Sequence, residues 1–147
     1  MSGAYSFLDV SASMTSPTGV IDVGAGSANS EEGIVVTMSE AKNTMTTGAD
    51  GEVMHSLHAG KSGTVTITLL KTSPVNKKLS LAYNAQTQSS ALWGNNVFVI
   101  RNHVSGDITT ARSCAFQKQP DHTNAKDGGT VSWVFDAGKI DQILGEF

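Results

Sequence analysis

The sequence predicts a mainly β protein, an antiparallel β-sandwich or barrel with one flanking α-helix. Three observations carry that prediction. Thr64-Val65-Thr66-Ile67-Thr68-Leu69 and Thr130-Val131-Ser132-Trp133-Val134-Phe135 alternate polar and apolar residues, the pattern of strands with one buried face. A single segment, Pro74 to Ala85, shows helical spacing behind a serine that can cap it. The remainder is short apolar runs divided by turn residues, with 15 glycines in 147 residues and only 16% charged side chains. Many turns and much uncharged polar surface suit β architecture.

Taken in order, Tyr5 to Val10 reads as a first strand and Gly19 to Val23 as a second, with Pro17 marking the turn between them. Gly24 to Ser30 is a flexible loop. Ile34-Val35-Val36-Thr37-Met38 is strongly β-prone. A long polar stretch, Ser39 to Gly63, follows. Within it Asn43 to Thr47 and Val53 to Leu57 read as two arms of a projecting hairpin, because Asp50-Gly51 is a strong hairpin turn signal. The alternative is a loop without fixed structure, since few apolar residues hold it down locally. Ser73 can cap the helix, Pro74 suits its first position, and Val75, Leu79 and Ala82, with Tyr83 and Gln86 adjoining, mark its inner face. Lys77 and Lys78 fall on its exposed side. Asn96 to Arg101 is apolar on both faces and reads as a central strand. Ile108 to Lys118 is a longer, bent strand, Asp121 to Gly129 a loop, and Lys139 to Leu144 a last strand.

The length suits one domain, residues 1–147, able to bury a core without disulfides or metals. The one cysteine, Cys114, has no internal partner and reads as a buried, inert thiol. No basic-then-apolar leader opens the chain, and no run reaches membrane-spanning length, so membrane insertion by this chain is not expected. A protein made in a cytosol and held there until assembly or release is the expectation. The net charge of −3 provides no overall basic footprint for nucleic acid.

Charge falls in blocks. Residues 29–52 carry Glu31, Glu32, Glu40, Asp50 and Glu52 against Lys42, and residues 53–100 carry four lysines and no acid. Residues 101–126 carry Arg101, Arg112, Lys118 and Lys126 against Asp107 and Asp121. Such a chain can pair with copies of itself; solvated loops are the plainer account of any single block. The stretch from Ser39 to Gly63 is too polar for a core and too long for an ordinary connection, so it is expected to serve assembly. Candidate interface residues are Asn43, Thr44, Met45, Asp50 and Glu52, with Lys118 and Lys126 as basic counterparts on a neighbouring subunit.

No catalytic, metal or cofactor motif is complete. Gly60-Lys61-Ser62 invites a phosphate-loop reading, but His55 stands where the motif needs glycine, and a strand follows rather than a helix. The four residues from Gly60 to Gly63 read instead as a turn feeding a strand. Gly24-Ala25-Gly26 lacks a third glycine and a following helix. His55 and His58, three apart, point to opposite faces of a strand and have no cysteine or acid beside them as further ligands. Ser39-Glu40-Ala41-Lys42 lacks its companion motifs. Glu31 and Glu32 are adjacent and diverge on a strand rather than flanking a bond. Trp93 and Trp133 could stack a ring ligand, but their apolar neighbours favour a core role for both. No enzyme activity and no cofactor are expected.

The same residues resemble a known family. Tyr5 to Val10, Glu32-Gly33-Ile34, Lys42 to Thr46, Gly48 to Glu52, His55 to Thr66, Leu70 to Asn76, Tyr83 to Thr87 and Ala125 to Phe135 are together similar to bacteriophage tail tube proteins of long-tailed, mostly contractile, phages. The resemblance runs nearly end to end. It implies hexameric rings stacked into a hollow tube. The tube would enclose a tape-measure protein, lie within a tail sheath, meet baseplate and tail terminator proteins, and conduct DNA without gripping it. The protein would then be made in the host bacterial cytoplasm and reside in the virion tail. A conduit for DNA is expected to be acidic or neutral inside, because lysine and arginine contacts to phosphate create non-specific affinity. Asp9, Asp22, Glu31 and Glu32 are the candidates for that lining. A ring-forming tube subunit of a bacterial secretion or contractile injection apparatus is the alternative. A monomeric β-sandwich binding module or small enzyme is a third.

Overall fold

The computed structural model describes residues 3–147. Ten strands and one α-helix follow in chain order: β1 Val10–Ser16, β2 Gly19–Asp22, β3 Asn29–Met38, β4 Asn43–Thr47, β5 Val53–Leu57, β6 Gly63–Leu70, α1 Val75–Gln86, β7 Asn96–Asn102, β8 Ile108–Phe116, β9 Thr130–Ala137 and β10 Lys139–Ile143. All pairings are antiparallel, so the fold is the mainly β architecture the periodicity predicts.

Eight strands join in the order β2-β1-β7-β8-β9-β6-β3, with β10 added to β8. The path folds over on itself because β8 serves two sheets. Its first half pairs with β7 and β10, and its last residues, Ala115 and Phe116, pair with β9. Between Asn96 and Phe98 the β7 register skips a residue on β8, and Ser113 there has φ of 53°. A bulge of this kind bends a strand and sharpens its twist, which turns one sheet toward the other.

The core lies between the two layers. Val65, Ile67 and Leu69 of β6, Phe98 of β7, Phe116 of β8, and Trp133 and Phe135 of β9 are buried in it. Burying each side chain of this kind is worth about 1.5–3 kcal/mol. Phe98 and Phe135 meet at 4.6 Å between ring centroids, as do Phe116 and Phe135. Helix α1 covers one end of the sandwich, with Val75, Leu79 and Ala82 turned inward. Ser73 secures its start: the hydroxyl accepts the Val75 N–H at 3.3 Å and donates to the Ser27 carbonyl at 2.5 Å. Gln86 secures its end through two reciprocal side-chain bonds with Asn96, at 2.9 and 3.0 Å, in a fully buried setting.

Two expectations need correction. Tyr5 to Val10 is not a strand; Phe7–Asp9 form a 3-10 turn and β1 begins at Val10. The Ser6 side chain accepts the Leu8 N–H at 3.2 Å, a local bond that bends the chain before pairing can start. Trp93 is not a core residue. It lies in the turns after α1, 37% exposed, against Tyr83 and Phe116, whereas Trp133 is buried.

Candidate functional site

β4 and β5 stand apart from the sandwich as a two-stranded sheet of their own. Asn43 pairs with Leu57, Met45 with His55 and Thr47 with Val53. Nine of the ten strand residues are exposed, the exception being Ser56. Met45, Val53, Met54 and Leu57 are 51–82% exposed, and among the described residues no element covers them. Alternation puts Met45, Val53, His55 and Leu57 on one face and Thr44, Thr46, Met54 and Ser56 on the other. A hairpin this short is marginal alone in water.

Its root is tied down on several sides. The Ser39 N–H donates to the Ser62 carbonyl at 3.0 Å, the His58 N–H to the Lys42 carbonyl at 2.9 Å, and the Ile140 N–H to the Lys61 carbonyl at 2.9 Å. The Lys61 ammonium meets Asp141 of β10 at 3.1 Å and holds that carboxyl below its usual range. A Cβ at Gly63 would run into the Thr37 carbonyl oxygen of β3, with Ile140 Cδ1 of β10 at 2.7 Å, so glycine lets β6 close onto the β3 backbone at the root. The Gly-Lys-Ser motif therefore works as a clamp beneath the hairpin. His55 and His58 are engaged separately, Nδ1 of His55 with Asn43 at 3.1 Å and Nε2 of His58 with Thr44 at 2.6 Å.

Asp50 and Glu52 sit at the tip, where Asp50 Oδ1 accepts the Glu52 N–H at 3.1 Å. Asn43, Thr44 and Met45 line β4 below them. Lys118 and Lys126 lie in residues 117–129, which meet the opposite end of β6: Lys71 N–H donates to the Gly129 carbonyl, and its ammonium to Thr123 and Asn124. β6 spans its eight residues between these poles, about 25 Å apart at strand rise. Within one chain the structure does not bring the two acids and the two lysines together. Sequence reasoning left Val53, Met54 and Leu57 out of the interface candidates; the turn signal marks a hairpin arm but not whether anything covers it.

The acidic candidates divide as well. Glu31 and Glu32 lie in the irregular start of β3, beside a groove shared with Phe7, Arg101 and Asp107. The Ser30 hydroxyl donates to Glu32 and holds its carboxyl below the usual range. Asp9 ends the 3-10 turn, its carbonyl accepting the His103 N–H at 3.0 Å. Asp22 pairs with Ser13 across the β2 edge and accepts the Gly24 N–H at 3.0 Å. Burial pushes the Cys114 thiol up to about 11. Among the described residues no helix is long and apolar enough to cross a membrane.

Solved structures share this fold. A chain of the PVC extracellular contractile injection system sheath–tube complex in its extended state matches with a TM-score of 0.62 at 6% identity, over 98% of this chain and 94% of that one. A chain of the PVC sheath/tube terminator in the extended state matches with a TM-score of 0.60 at 10% identity, over 95% and 96%. The anti-feeding prophage cap, described as a tube terminating cap, matches with a TM-score of 0.55 at 6% identity, over 99% and 95%. At such low identity the likeness is one of fold. No protein of curated function matches the chain by sequence. The sequence family described as the bacteriophage PhiTE tail tube protein matches residues 1–145, nearly the whole of the sequence. The chain thus belongs to the bacteriophage PhiTE tail tube protein family.

Proposed function

We propose that copies of this chain close into hexameric rings, and that the rings stack into the hollow tube that houses a tape-measure protein and conducts the phage genome. The observation that carries this reading is the β4–β5 hairpin, a held but uncovered ribbon bearing Met45, Val53, Met54 and Leu57 in the open. Exposed strand edges and apolar side chains are an aggregation hazard for a monomer, and a repeating assembly removes it by covering them. The outer edges of β2 and β3 are open in the single chain and suit the same explanation. Sheath, baseplate and tail terminator proteins are the expected neighbours of such a tube. Its place is the virion tail, after synthesis in the host cytoplasm. Its role is structural, with Asp9, Asp22, Glu31 and Glu32 as candidate lining of a lumen that repels phosphate.

The experiment is electron microscopy of the purified full chain and of a variant lacking Met45 to Val53. Hollow tubes with sixfold end views from the first, and a folded protein without tubes from the second, are expected. A second reading, the tube subunit of a contractile injection apparatus rather than a phage tail, draws on the fold shared with the PVC chains. The genes beside this one, for capsid or for injection machinery, separate the two.

A further inference from the structure

The hairpin tip needs a counterpart, and the far pole of the same molecule has the matching character. We propose that the cleft between α1 and residues 117–129 is the socket for the β4–β5 hairpin tip of a second copy, so that copies join head to tail. This rests on the assembly reading above and names the contact surface within it.

Position comes first. The hairpin joins β6 at Gly63, while the cleft lies at the Leu70 end, so the root of the hairpin and the cleft sit at opposite ends of one strand. Two different surfaces at opposite poles make a heterologous contact, which propagates instead of closing on a pair. Shape and chemistry agree. The cleft has a volume of about 500 Å³, in the range that accepts a small ligand or a short piece of chain. Val131 and Pro120 supply its apolar surface above the buried Trp133, and Lys77 and His122 line it as well. The tip offers Ala49 and Val53 beside the carboxylates of Asp50 and Glu52.

The walls are fixed before any partner arrives. The Trp133 indole N–H donates to Asn76 Oδ1 at 3.0 Å, which locks α1 to β9. The Lys71 ammonium donates to Asn124 Oδ1 at 2.7 Å and to the Thr123 carbonyl, which holds the loop side. Lys71 donates to two neutral oxygens and keeps its charge, and Lys77, exposed on α1, adds a second cation to meet the incoming acids. Asp121 lines the same cleft and repels them, which favours a pose with Glu52 turned toward α1. Charge pairing of this kind fixes register and discriminates against wrong partners.

The test places Ala49→Cys and His122→Cys in the full chain, where Cys114 is buried and silent. Oxidation of assembled tubes should yield a ladder of linked chains from the double variant and none from either single variant. Separately, Lys77→Glu should raise the protein concentration needed for assembly by about tenfold or more, and Glu52→Lys in the same chain should lower it again. All of these positions are on the surface, and circular dichroism confirms folding. Tubes that give no ladder, and that ignore both charge reversals, would overturn the socket. If those tubes still vanish when Met45 to Val53 are deleted, the hairpin's assembly role stands without it. A wild-type chain that never assembles removes both readings.

Discussion

β5 and β6 lie five residues apart in the chain and have opposite fates. β6 buries Val65, Ile67 and Leu69 between two sheets, whereas β5 exposes Val53, Met54 and Leu57 to solvent. Both make backbone ladders with an antiparallel neighbour. The difference lies in what covers the apolar face. The β6 face continues onto Trp133 and Phe135 of β9 and is covered from within the chain, with Phe98 of β7 packed against Phe135; for β5 the described residues provide no cover. Stability thus resides in the sandwich and association in the hairpin, and the Lys61–Gly63 clamp joins the two without mixing their roles.

Mutations should separate these roles. The largest effect belongs to the core. Phe135→Ala should cost about 3–5 kcal/mol in denaturant unfolding, through lost burial and the cavity left beside Phe98 and Phe116. Next comes the buried amide pair. Asn96→Ala leaves Gln86 without its partner and should cost about 1–3 kcal/mol by the same measurement. In the hairpin, Met54→Ser with Leu57→Ser should change unfolding by no more than about 0.5 kcal/mol while abolishing tubes in micrographs. A large loss of stability there would erase the contrast between the regions.

The smallest effects are pH-dependent. The folded-state pKa of Asp141 is lowered by Lys61, so its contribution is present above the unfolded value near pH 4 and disappears as pH falls through the folded one. Lys61→Ala should flatten that part of the acid unfolding profile. Cys114 has the reverse sign. Its folded pKa is raised to about 11, so its contribution is full below the unfolded value of about 8.5 and lost as pH rises toward 11. A thiol reagent at pH 8 should label Cys114 slowly in the native chain and rapidly once unfolded.

Local signals were legible in the sequence. The Asp50-Gly51 turn locates the hairpin of β4 and β5, and Ser73-Pro74 locates the start of α1 within a residue of where it lies. Long-range features were not. Nothing near Lys139 announces that β10 adds to β8, and nothing near Ser113 announces that one bent strand serves two sheets. Ser6 hides behind an apolar run that otherwise reads as a strand. For the candidate site, Asn43, Thr44, Met45, Asp50 and Glu52 could be named because they are contiguous. The opposing cleft draws on α1, β9 and the loop before it, so only the folded chain assembles it.

The most direct measurement is a helical reconstruction of tubes formed by the full chain, with the hairpin traced in density. The account predicts Met45, Val53, Met54 and Leu57 buried against a neighbouring copy, and no tubes from the chain lacking Met45 to Val53. Tubes of normal diameter from that deletion, or a hairpin still bathed in solvent within the assembled wall, would contradict it.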